Sequence, residues 1–169
     1  MSRLRKALGL VAIGVAVQGA PSIEAQQATA NLQVTASVKK QCTITTTPVN
    51  FGAYDPIVTN KASNLDQQGT VVVTCTKGAG AKVWLALGSN ASGSTRRMQG
   101  PDAAAFLSYE LYKDASRSSV WGNDDTTGLD VPPATTANPQ TFTVYGRVPS
   151  GQDATVGNYA DTVVATVNF

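Results

Sequence analysis

The stretch that decides the fold reads A-T-A-N-L-Q-V-T-A-S-V, residues 28–38. Ala28, Ala30, Leu32, Val34, Ala36 and Val38 occupy every second position, and Thr29, Asn31, Gln33, Thr35 and Ser37 fill the gaps. Successive side chains of a β-strand point to opposite faces, so this alternation predicts a strand with one apolar and one polar side. Burying Leu32, Val34 and Val38 with Ala30 and Ala36 is worth on the order of 5–10 kcal/mol by area, before hydrogen bonds and ordering costs. A disordered leader would have no use for such regularity. Two placements satisfy the pattern: the first strand of the chain's own sandwich, or a strand lent to another copy. In either, Lys39 and Lys40 mark where the strand leaves apolar surroundings.

Toward the N-terminus, Arg3, Arg5 and Lys6 precede an uncharged apolar run over residues 7–17. That order predicts a secretory signal peptide, residues 1–25, cleaved after Ala25. The run is shorter than the ~20 residues a bilayer core requires, so no integral membrane protein is expected. Without residues 1–25 the chain keeps ten basic and ten acidic side chains, and no basic cluster exceeds a pair. Nucleic acid is therefore excluded as a partner. About 144 residues remain, enough for one domain with a real core. The two cysteines, Cys42 and Cys75, are expected to pair in an oxidising compartment.

Toward the C-terminus, strand-like runs recur at residues 71–75, 83–87, 107–112, 141–148 and 162–169, with Gly and Pro between most of them. No segment carries a sustained helical period, so the fold class is all-β, and the absence of crossover helices favours a sandwich. Residues 26–40 form an N-terminal arm and 41–169 the sandwich domain. The loops over residues 89–101 and 122–139 read as surface excursions, and Gly78-Ala79-Gly80 as a hairpin turn.

Catalytic chemistry is sparse. There is no histidine, hence no ordinary triad, and no serine stands in a nucleophile-elbow context. Two cysteines without histidine cannot complete a tetrahedral metal shell, and no cofactor motif is present. Asp124, Asp125 and Asp130 read as solvated or turn-forming residues. Period two directs Glu110 to solvent, opposite Tyr109 and Leu111. Trp84 and Trp121 fit either core and loop anchors or stacking platforms for sugar rings.

Four segments, taken in order, carry a resemblance. They are F-G-A-Y-D-P at residues 51–56, G-T-V-V-V-T-C-T-K at 69–77, L-S-Y-E-L-Y-K-D at 107–114 with V-W-G at 120–122, and a C-terminal block. That block holds V-Y-G-R-V-P at 144–149, Gly151-Gln152, G-N-Y-A-D-T at 157–162, and the final Asn168-Phe169. Together they resemble the spore coat protein U domain family, whose members include subunits of archaic (Csu-type) chaperone/usher pili.

The resemblance implies an immunoglobulin-like β-sandwich lacking its last strand and completed by a donated N-terminal strand. It implies Ala30, Leu32, Val34, Ala36 and Val38 as the donor residues, and Val163, Ala165, Val167 and Phe169 as the chaperone contact. It implies as partners other copies or related pilus subunits, a periplasmic chaperone and an outer-membrane usher, with export through the periplasm to a surface fibre supporting adhesion or biofilm formation. A self-contained secreted module, coat-like or binding carbohydrate, is the alternative, and an enzyme the remote one.

Overall fold

The computed structural model describes residues 14, 19 and 23–169, so the expected signal peptide lies almost wholly outside the described residues. Two units divide the chain, Met1–Ala36 and Ser37–Phe169. In the first, residues 23–36 are exposed throughout and form no strand, although their alternation predicts one. Period two states what a segment is able to bury; a strand also needs a neighbour to bond.

The second unit holds eight strands: β1 (Cys42–Thr47), β2 (Leu65–Cys75), β3 (Ala81–Leu85), β4 (Arg96–Gln99), β5 (Phe106–Tyr112), β6 (Leu129–Val131), β7 (Gln140–Val148) and β8 (Ala165–Asn168). No helix occurs among the described residues. One sheet has the order β1-β2-β7-β5-β4 and the other β6-β3-β8, and all named strand pairs are antiparallel. Their inner faces meet in one core that includes Val71 and Val73 of β2, Leu107 and Leu111 of β5, and Val83 and Leu85 of β3. The fold is an immunoglobulin-like sandwich. Here β8 pairs with β3 alone, and β1, at the edge of the larger sheet, with β2 alone.

Cys42 and Cys75 sit opposite each other in the β1–β2 register and are bonded. The closed loop of 33 residues removes about 3–4 kcal/mol of unfolded-state entropy in the chain-entropy model.

Several sequence expectations change. Short strands β4 and β6 lie inside the stretches read as loops, and β1 was not anticipated. Gly78-Ala79-Gly80 is no hairpin, because β2 and β3 belong to different sheets. It is a corner: Ala79 N–H donates to the Thr76 carbonyl at 2.9 Å and Gly78 N–H to that of Ala134 at 2.8 Å.

Glu110 does not look to solvent. Its carboxylate pairs with the Arg96 guanidinium of β4, which is wholly buried. Arg96 also donates to the carbonyls of Leu85 at 2.8 Å, Ala86 at 3.0 Å and Trp121 at 3.0 Å, crossing from one sheet to the other. Buried charge demands such a full set of partners. Trp121 is likewise fully buried, its indole N–H donating to the Val83 carbonyl at 2.9 Å, which rules it out as a stacking platform. Trp84 is half-buried and packs against Gly128.

Candidate functional site

The free edges of β1 and β8 come close to each other, yet no backbone hydrogen bond joins them among the described residues. Between the sheets a cleft of about 990 Å³ opens. Its floor consists of core side chains: Val71 of β2, Leu107, Tyr109 and Leu111 of β5, Val144 of β7 and Leu85 of β3. Its walls come from residues 46–54 with Pro56 and from residues 154–161 with Val163 and Ala165. These floor side chains are themselves only 1–6% exposed, so the cleft reaches down from its walls onto a core that is already packed. An unsealed cleft beside two unpaired strand edges is an aggregation hazard unless something covers it.

The walls are fixed by polar staples drawn from segments distant in sequence. The Tyr54 hydroxyl donates to the Pro149 carbonyl at 3.1 Å and accepts the Gln152 N–H at 2.9 Å. The Gln152 side chain then bonds Ser108 on β5 in both directions, accepting from its N–H at 2.8 Å and donating to its carbonyl at 3.0 Å. Across the cleft, the Tyr109 hydroxyl donates to Asp161 at 2.7 Å, and Asp161 also accepts from Asn90 N–H and its side-chain amide. Burial pushes the Tyr109 phenol well above its ordinary value, and the hydrogen bond to the Asp161 carboxylate pushes it further the same way. It therefore remains a neutral donor. Phe51 and Val49 lie over Gly146, where a Cβ would meet Phe51 at 2.8 Å and Val49 at 2.7 Å, so only glycine lets that wall close on β7.

The four C-terminal residues singled out in the sequence divide. Val163 and Ala165 line the cleft, and Val167 is half-buried, paired in register with Val83. Phe169 is 48% exposed. Thr162, Val164 and Thr166 alternate with them on the exposed side. In the N-terminal arm, Leu32, Val34 and Val38 are 88%, 85% and 85% exposed, and Ala30 and Ala36 are exposed with them. Sequence reading did not assign Phe51, Tyr54, Tyr109 or Asp161 to a site, although all four fall within the motifs that carried the family resemblance. Among the described residues no group of three or more acidic or cysteine side chains is placed to hold a metal, and no helix is long and apolar enough to cross a membrane.

The sequence profile of the Spore Coat Protein U domain matches residues 28–166. The chain belongs to that family. The matched span opens at Ala28, the first residue of the alternating arm, and so takes in the arm together with the sandwich. Protein U of Myxococcus xanthus is 39% identical over 181 residues, an alignment that takes in 100% of both chains. Among solved structures, a chain of the CsuC-CsuE chaperone-tip adhesion subunit pre-assembly complex, from archaic chaperone-usher Csu pili of Acinetobacter baumannii, aligns with a TM-score of 0.58. It is 24% identical, and the match covers 78% of this chain but 40% of that one. The likeness is one of fold: a spore coat protein U domain and a part of the solved complex share a sandwich.

Proposed function

We propose that this chain is a structural subunit of an exported surface fibre, a pilus, assembled by a chaperone/usher pathway through donor-strand exchange. The observation that carries this is the cleft between the two sheets, floored by apolar side chains and reaching β1 and β8 at its margins, matched by an arm whose apolar residues are exposed at a strict period of two. A strand laid along β8 supplies the missing ladder and covers the cleft at once, which is β-augmentation between copies. Ala30, Leu32, Val34, Ala36 and Val38 face inward in this reading, and Thr29, Asn31, Gln33, Thr35 and Ser37 face out.

Before assembly the same cleft needs a cover, and a periplasmic chaperone lying along Val163, Ala165, Val167 and Phe169 meets that need. Its presence in the solved complex of similar fold supports this partner. An outer-membrane usher then catalyses the exchange, and the finished fibre serves adhesion or biofilm formation at the cell surface. The test is a denaturing gel of material exported by full-length chain, with and without boiling. A ladder of oligomers that collapses only on heating is expected; a monomer band under both conditions rejects strand exchange. The family's description as a spore coat domain favours a second arrangement of the same exchange, a layer in place of a fibre. Electron microscopy of the assembled material separates the two.

A further inference from the structure

Resting on the donor-strand reading, the question becomes what keeps an arm from filling the cleft of its own chain. The root of the arm answers it. Cys42 is bonded to Cys75, and the next residue, Thr76, holds the chain before Cys42. Thr76 N–H donates to the Gln41 carbonyl at 2.8 Å, and its hydroxyl is within donating distance of the carbonyls of Lys39 at 3.2 Å and Gln41 at 3.3 Å. Thr76 is itself fixed, since its carbonyl accepts the Ala79 N–H at 2.9 Å in the corner that leads to β3.

These bonds lie on the β2 side of β1 at its start, whereas the cleft is lined at the opposite end of β1, by Thr46 and Thr47. To enter its own cleft, an arm must reverse direction just before Cys42. A two-residue hairpin does this with positive φ at one or both central residues, the province of Gly and Asn. Residues 39–41 are Lys, Lys and Gln, and the one non-glycine residue with positive φ among those described is Arg117. A wider loop would consume Val38 and Ala36, two of the apolar residues the cleft is to receive. We propose that Thr76, beside the Cys42–Cys75 bond, is a positioning residue that pins the arm's root to the β2 side and so commits the arm to a second copy.

The experiment compares full-length chains exported by their native machinery, read by unboiled gel, size-exclusion chromatography and protease sensitivity of the arm. The double change Lys39→Asn with Lys40→Gly supplies a hairpin sequence and is expected to convert the ladder into a folded monomer whose arm resists protease. Thr76→Val removes only the hydroxyl bond and, at one hydrogen bond's worth of bias, should raise the monomer fraction about five-fold. An unchanged ladder in the double variant overturns the proposal, as does a monomer whose arm is still cleaved. If the double variant does not fold, Thr76→Val decides alone, and an unchanged monomer fraction overturns the proposal. Leu32→Asp separates the two levels. If the parent chain forms no ladder, or Leu32→Asp leaves it intact, the donor-strand reading itself fails. If Leu32→Asp abolishes the ladder while the root variants do not alter it, only the role of Thr76 is lost.

Discussion

Strand β5 and the N-terminal arm are written in the same period and meet opposite fates. In β5, Leu107, Tyr109 and Leu111 are 4%, 6% and 5% exposed, while Leu32 and Val34 of the arm are 88% and 85% exposed. β5 has β4 and β7 as ladder partners and a second sheet across the core. The arm repeats the same alternation and forms no strand. Alternation is therefore a statement about an interface, and the interface need not lie within one chain. Reading the arm as half of an interface, with the cleft as the other half, accounts for both exposures together.

The sharpest way to break this comparison is to put the same charge into both strands. Leu111→Asp buries an unpaired carboxylate in the folded body, a cost of several kcal/mol, and should abolish recovery of soluble subunit. Leu32→Asp should leave a chaperone-bound subunit of normal yield that no longer forms a ladder, because the cost appears only on insertion. If Leu32→Asp also removes the subunit itself, the arm is part of its own sandwich.

A smaller effect is expected at the cross-sheet pin. Arg96→Ala strands Glu110 and frees the carbonyls of Leu85, Ala86 and Trp121, at a cost of about 3–5 kcal/mol. Urea denaturation of the chaperone-free subunit measures it. Leu32→Ala in the same assay should be near zero, since that side chain is exposed before assembly.

What the sequence disclosed follows from where information is local. β7 and β5 were legible because β-branched and aromatic residues alternate there with little interruption. β4, reading R-R-M-Q, was not, since Arg96 faces the core and Arg97 lies over the Phe106 ring, and nothing local tells a pinned arginine from a solvated one. Glu110 was misplaced for the same reason: its partner lies on the neighbouring strand. β1 carries four threonines and a single aliphatic residue, Ile44, so its pattern is faint. The cleft walls were legible only as family motifs. Tyr109 and Asp161 are 52 residues apart, and their bond exists only once β5 and the segment before β8 are brought together.

Acid provides a gentler contrast, because the body is laced with ion pairs while residues 26–38 contain no ionisable side chain. Asp66 lies opposite Arg147 in the β2–β7 register and meets its guanidinium through two bonds of 2.8 Å, with Arg117 at 3.3 Å. The hydrogen bonds from Arg147 hold the Asp66 carboxyl below its ordinary 3.8; burial opposes them, and the charge of Arg117 adds to the lowering. A carboxyl with a depressed folded value takes up its proton first in the unfolded chain. Its contribution is thus complete above about pH 4 and is lost as the pH falls through the lower folded value. Urea midpoints of the subunit should fall on acidification below pH 4. Asp66→Asn should be less stable at neutral pH and show a shallower acid slope. An identical slope in both would mean that the Arg147 pair does not distinguish folded from unfolded chain.

The smallest effect belongs to the other face of the arm. If residues 28–38 enter a neighbour's cleft as a strand, Gln33 and Thr35 project away from it, since side chains alternate strictly across the pleat. Gln33→Asp or Thr35→Asp then places a carboxylate in water both before and after assembly, and a change that is solvated in both states moves the equilibrium little. The unboiled ladder should match the parent's, and its heat resistance should shift far less than the complete loss expected from Leu32→Asp one position away. That one-residue contrast is demanding, because a disordered tether, an arm held by general stickiness or a strand slipped by one register would each predict something else. The first two predict similar results at positions 32 and 33. A slipped strand predicts the reverse, with Gln33→Asp abolishing the ladder and Leu32→Asp sparing it.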